Sequence, residues 1–163
     1  MAKSKKKKHD NSQDPILARN RRARHDYEIL ETVEAGIELR GSEVKSLRNR
    51  AVHFQDAFAE FRGDQLYLMG VSISQWAFAN QFNHVPDRPR RLLMHRAQLD
   101  AWRGKVEQKR YTIVPLNIRL RGRWLKVTLA LARGKKEYDK RHALREKQLQ
   151  REVDRALKER NYH

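Results

Sequence analysis

Residues 124–131 alternate in character: Leu125, Val127, Leu129 and Leu131 fall on one side of an extended chain, and Trp124, Lys126 and Thr128 on the other. That period of two dictates a strand with one apolar face, which has to close against further strands. Directly after it comes the run GKKEYDKR at 134–141. With Arg133 it gathers five cations, Arg133, Lys135, Lys136, Lys140 and Arg141, around one ring, Tyr138. Cations attract phosphate, and an aromatic ring can stack on an unpaired base. The chain reads as a β module that hands over to a basic tail at Gly134.

The charge follows the same division. Of the net +17 over 163 residues, residues 1–24 carry +7, residues 133–163 carry +5, and the 108 residues between them carry only +5. A core with basic arms is the electrostatic outline of a nucleic-acid binder. Residues 1–13 are polar and non-periodic, and are expected to be a disordered basic arm. The barrel domain is expected over 14–133 and the tail over 134–163.

Periodicity predicts the elements. Asp14 and Pro15 read as the cap and first residue of a short helix over 14–24. Tyr27, Ile29, Glu31 and Val33, then Ile37 and Leu39 after Gly36, predict strand, turn, strand. Ser42 reads as the N-cap of a short helix, SEVKSLRNR, with Val44 and Leu47 inward. FAEF at 58–61 and QLYLMGVSI at 65–73 flank Arg62-Gly63-Asp64, a hairpin signal. A loop over roughly 79–90, a helix starting near His95, and two strands around Arg121-Gly122 complete the pattern. Several short strands with regular turns predict a mainly β fold with short helices, an oligonucleotide-binding-like antiparallel β-barrel. The tail has helical spacing at Leu149, Val153, Ala156 and Leu157. Its narrow apolar face predicts a segment disordered when free and helical when bound.

Other classes lose support. Without cysteine there is no disulfide framework or thiolate metal site, which fits a reducing cytoplasm. No apolar stretch follows Lys8, so the N-terminus does not read as a secretory signal, and the apolar runs are too short to span a bilayer. The seven histidines are dispersed with no HExxH pattern. Gly134-Lys135-Lys136 lacks the flanking residues of a phosphate-binding loop. The expectation is a monomeric, non-enzymatic protein without cofactor, metal or membrane. A structural ribosomal protein with basic arms is the alternative, and a small nuclease is disfavoured for want of a carboxylate or histidine cluster.

Four segments, NRRARHDYEI at 20–29, EAGIELRGSEVKSLR at 34–48, RRLLMHRAQL at 90–99 and GKKEYDKR at 134–141, occur in an order and spacing that closely resemble the small protein B family, the SsrA-binding proteins that partner transfer-messenger RNA. The resemblance covers about residues 19–160. It implies an oligonucleotide-binding-like barrel, binding to the tRNA-like domain of transfer-messenger RNA, and rescue of stalled ribosomes. It also implies a tail that enters the small-subunit decoding centre and the empty message channel. Elongation factor Tu would deliver the complex, and alanyl-tRNA synthetase would act on the RNA. Carried over by position, Glu34, Leu93 and Lys126 match residues implicated in the RNA contact. Asn20, Arg22, His25, Gly41, Glu43, Lys45 and Arg48 match signature positions. Gly134, Lys135, Lys136, Asp139, Lys140 and Arg141 match the start of the functional tail, and Tyr138 the ring placed against ribosomal RNA. Arg110 stands where the family usually has Gly, and Met94 where it has a third Leu.

The chemistry of these residues leaves two readings open at several sites. Lys45 and Arg48, one helical turn apart, can straddle a phosphate backbone or form an ordinary wet helix face. Arg21, Arg22 and Arg24 can pair with phosphate and stack on bases. Glu34 can accept from base amino groups or orient a nearby cation. Leu93 can touch a base only if it is exposed. Asp139 can cap a helix that begins at Lys140.

Overall fold

A computed structural model describes residues 15–160. The strands are β1 (Ile16–Arg19), β2 (Tyr27–Ile37), β3 (Val52–Arg62), β4 (Gln65–Ile73), β5 (Arg90–Leu93), β6 (Thr112–Arg121) and β7 (Trp124–Gly134). The helices are α1 (Arg21–Asp26), α2 (Gly41–Arg48), α3 (Arg96–Lys109) and α4 (Glu137–Arg160), with a 3-10 turn at Asn80–Phe82.

All strand pairings are antiparallel, and the order β6-β3-β4-β5-β2-β7 closes on itself through β6–β7. This is the oligonucleotide-binding-like barrel expected from the sequence. Closure leaves no continuous unpaired edge. The inward faces supply one core: Leu66, Leu68, Ile73, Leu92, Ile113, Ile118, Val127, Leu129 and Leu131 are all at most 1% exposed. Leu99 and Trp102 of α3 join that core. Arg103 holds α3 to the β3–β4 hairpin, donating to the Gly63 carbonyl at 2.6 Å and lying over the Phe61 ring.

Bending a sheet into so small a barrel needs a kink, and β3 supplies it with a bulge between Phe54 and Phe58. Gly70 on β4 faces the bulge at φ +67, and a Cβ there would sit 2.6 Å from the Gln55 carbonyl oxygen. No other residue type fits that approach.

Several sequence expectations are corrected. Residues 15–24 do not form one helix: Ile16–Arg19 is a strand, and Asp14 lies outside the described residues, as does the arm over 1–13. The edge of β6 beyond its pairing with β3 takes β1 as a partner, so tertiary pairing overrides the local cap signal. The helix signal belongs six residues later, where the Asn20 side chain caps α1 by accepting from Ala23 N at 3.2 Å. Gly36 is no turn; β2 runs unbroken through it, and its missing Cβ lets Leu93 approach. Ser42 is not the cap of α2, which follows Arg40; the Glu43 carboxylate instead accepts from Arg40 N at 2.7 Å. The segment ahead of α3 contains β5. The helix of the tail opens at Glu137, so Asp139 lies within its first turn and cannot be its N-cap.

Candidate nucleic-acid interface

Three groups of the expected residues come together on the outside of the barrel. The first is an outer strand face. Gly36 is paired with Leu93 of β5 on one side and Lys126 of β7 on the other, and Lys126 is paired with Arg119 of β6. Leu93, Gly36, Lys126 and Arg119 therefore form one row across four strands, roughly 14 Å wide at normal strand spacing. Leu93 is 49% exposed, which meets the condition for apolar contact with a base. The neighbouring row is Glu34, Thr128, Asn117 and Arg19. Here Thr128 donates to Asn117 Oδ1 at 3.0 Å. Trp124, 65% exposed at the β6–β7 turn, ends this face beneath the guanidinium of Arg123.

The geometry separates the two readings of Glu34. Its Oε2 is ion-paired with Arg121, while Oε1 is occluded from solvent and accepts no hydrogen bond. The side chain is about a quarter exposed, so a base could approach it only from the Oε2 side, which Arg121 already holds. As it stands, Glu34 orients an arginine.

The second group surrounds α1. Ala23 is 2% exposed and seats the helix on Val114, Leu116, Ala130 and Ala132, a small apolar cluster outside the barrel. With its one apolar position buried, α1 turns Arg21, Arg24 and His25 outward. They line a groove of about 610 Å³ with Asn20, Arg19, Arg119, Lys135 and Lys147, and among the described residues no acidic side chain contributes to its walls. Ile16, Leu116 and Leu144 give it apolar surface. Asn20 Nδ2 donates to the Pro115 carbonyl at 3.0 Å, so this residue braces the groove while capping the helix. Lys135 fastens the root of the tail to α1, through N to the Asp26 carbonyl at 2.9 Å and Nζ to the Arg24 carbonyl at 3.1 Å. Arg22 is directed elsewhere, toward Asp56 at 3.2 Å. Such a wall of cations suits a phosphate backbone.

The third group is α2. Leu47 and Ser46 face inward and Lys45 and Arg48 outward. Glu43, on the same helix, is fully buried. Its Oε1 accepts from Arg90 Nε at 2.8 Å and Arg88 Nε at 2.9 Å, and its Oε2 from Arg88 at 2.6 Å. Arg90, equally buried, also donates to the carbonyls of Val71 and Pro86 at 2.6 and 2.7 Å. Burial alone pushes the Glu43 carboxyl up, but the bonds from Arg88 and Arg40 N together with the charge of Arg90 outweigh it and hold it below its ordinary value. This signature glutamate is a structural anchor rather than a ligand for RNA.

The tail leaves from Gly134 at the end of β7, opposite Tyr27. Lys136 and Arg141 are exposed; Tyr138, Asp139 and Lys140 lie in the first turn of α4, their side chains outside the described set. Arg19, Arg119 and Lys147 were missed by the sequence reading. For Arg119 the signal was available in the alternation of Asn117, Arg119 and Arg121 with Ile118 and Leu120. Among the described residues no cluster of His, Cys, Asp or Glu could hold a metal ion, and no helix is long and apolar enough to cross a membrane.

Known proteins resemble this chain along most of its length. The family model described as SmpB protein matches residues 17–159. An SsrA-binding protein of Synechococcus sp. (strain JA-2-3B'a(2-13)) is 53% identical over 145 residues, covering 88% of this chain and 94% of the relative. That of Shouchella clausii (strain KSM-K16) is 44% identical over 151 residues, covering 93% and 97%. A chain in the solved structure "tmRNA-SmpB: a journey to the center of the bacterial ribosome" is 49% identical, with a TM-score of 0.63 over 78% of this chain and 94% of its own. Matched by that family model over nearly its whole length and about half identical to these relatives, this chain belongs to the SmpB protein family.

Proposed function

We propose that this protein is the RNA-binding factor of trans-translation: it binds transfer-messenger RNA and works with it on stalled ribosomes. The observation that carries this most strongly is the row Leu93–Gly36–Lys126–Arg119, which sets an exposed apolar side chain and two cations on one strand face. A base can rest on Leu93 while phosphates meet Lys126. The basic groove beside α1 supplies a second, sequence-independent attraction through Arg21, Arg24 and His25, and Lys45 and Arg48 add a third.

In this reading the barrel holds the tRNA-like domain, and the tail from Gly134 occupies the decoding centre and the empty message channel. Tyr138 would stack there, and Lys136, Lys140 and Arg141 would neutralise phosphates. The protein acts as a cytoplasmic monomer and performs no chemistry of its own. Peptidyl transfer remains with the ribosome, charging of the RNA with alanyl-tRNA synthetase, and delivery with elongation factor Tu.

The test is crosslinking in cells followed by sequencing of the RNA recovered with the protein. Dominant recovery of one tRNA-like RNA is expected. Uniform recovery of ribosomal RNA, with the protein stoichiometric in salt-washed subunits, would favour a structural ribosomal protein instead.

A further inference from the structure

The loop between β4 and β5 displays two aromatic rings that are largely open to solvent. Phe78 is 81% and Phe82 82% exposed, more than any other large apolar side chain among the described residues. Single exposed apolar residues are ordinary; two rings four residues apart on a loop tied down at both ends are not. The ties are hydrogen bonds. Asn83 closes the loop neck, accepting from Trp76 N at 2.9 Å and donating to the Trp76 carbonyl at 2.7 Å. Buried His84 donates through Nε2 to the Ile73 carbonyl at 2.9 Å and meets Ser42 Oγ at 2.9 Å. Phe78 is further set edge-on against Trp76.

These bonds also lay the loop along α2. Ser74 N donates to the Ala51 carbonyl at one end of the loop, and His84 reaches Ser42 at the other. Lys45, Arg48 and Arg50 on and just after α2 are exposed. Elsewhere on the surface Arg22, Arg62, Arg91, Arg96, Arg103 and Lys105 sit in ion pairs with carboxylates. Lys45, Arg48 and Arg50 make none among the described residues. Between Ser74 and Pro86 the sequence has no acidic side chain to repel a phosphate.

We propose that this loop is a stacking platform for unpaired RNA bases, with Phe78 and Phe82 taking base faces and Lys45, Arg48 and Arg50 taking the adjoining phosphates. It is a separate contact from the Leu93–Lys126 row, and it rests on the reading of the protein as a binder of transfer-messenger RNA. Rings paired with free cations match single-stranded RNA better than a protein partner, whose recognition would not require three uncompensated charges beside the rings.

The test compares full-length wild type with a Phe78→Leu/Phe82→Leu double variant and a Phe78→Trp/Phe82→Trp double variant. Each is titrated against transfer-messenger RNA and against a fully paired RNA duplex. Loss of two stacked bases, at about 1–3 kcal/mol each, predicts a grip on transfer-messenger RNA at least about thirtyfold weaker for the leucine variant. Duplex binding should not change, and the tryptophan variant should bind like wild type. Leucine and wild-type proteins binding alike, or leucine and tryptophan variants failing alike, would overturn the platform. A wild type that does not prefer transfer-messenger RNA over duplex would overturn the RNA reading itself, and the platform with it. A photoreactive benzoylphenylalanine at position 82 should form adducts with RNA in cells; adducts with protein or lipid alone would contradict the assignment.

Discussion

Glu34 on β2 reaches across β7 to the guanidinium of Arg121 at the end of β6, so two strands that do not touch on this face are coupled by charge. The pair borders Lys126 and Thr128. Its role would be to hold Arg121 in place for RNA. Glu34→Gln keeps the shape and removes the charge. Charge-assisted bonds are worth about 1.5–3 kcal/mol, so RNA affinity should fall roughly ten- to hundredfold. A double-mutant cycle with Arg121→Ala should show that the second substitution adds little to the first. Fully additive losses would mean that the two residues act separately.

Glu43 predicts an acid-sensitive barrel. Its carboxyl is held below the ordinary carboxylate value, so the unfolded chain takes up a proton first as the pH falls. The stability this residue contributes is complete above the ordinary range near pH 4.3 and is lost as the pH drops through the lowered folded value. Glu43→Gln has no such proton to gain, so its stability should fall less steeply across that window. At neutral pH it should be less stable than wild type by about 3–5 kcal/mol, because Arg90 is left buried without its counter-charge. Urea unfolding between pH 3 and 7 measures both effects.

Gly70→Ala places a methyl 2.6 Å from the Gln55 carbonyl oxygen at a positive φ. The β3 bulge has to shift, and we expect a loss of about 3 kcal/mol in thermal or denaturant unfolding.

Arg110 ends α3 at φ 52, ψ 37, the left-handed conformation that glycine adopts without strain. Arg110→Gly should raise stability by roughly 0.5–1 kcal/mol, the strain relieved less the entropy that glycine adds to the unfolded chain. RNA binding should be unaffected.

How much of this was written in the sequence depends on how local the cause is. The alternation of Leu125, Val127, Leu129 and Leu131 defined an inward face by itself, and Lys126 was correctly turned outward. Arg62-Gly63-Asp64 marked a hairpin because turn chemistry acts within a few residues, and the spacing of Leu99 and Trp102 marked the helix that follows His95. Ile16–Arg19 failed because its strand exists only by pairing with residues about a hundred positions later. Glu43 stood out in the sequence only as a signature position; its burial against Arg90 was not legible, because that partner is 47 residues away. The groove was legible in part: Arg21 and Arg24 announce themselves, but Arg119 and Lys147 join them only after the barrel closes and α4 returns past α1.

The central claim is that this chain divides two tasks at Gly134, RNA holding on the barrel side and ribosome engagement on the tail side. Truncation before Gly134 tests it most directly, with transfer-messenger RNA affinity and tagging of stalled peptides measured on the same protein. Affinity within a few-fold of full length together with abolished tagging is the predicted result. Tagging at the full-length level by the truncated protein would contradict it.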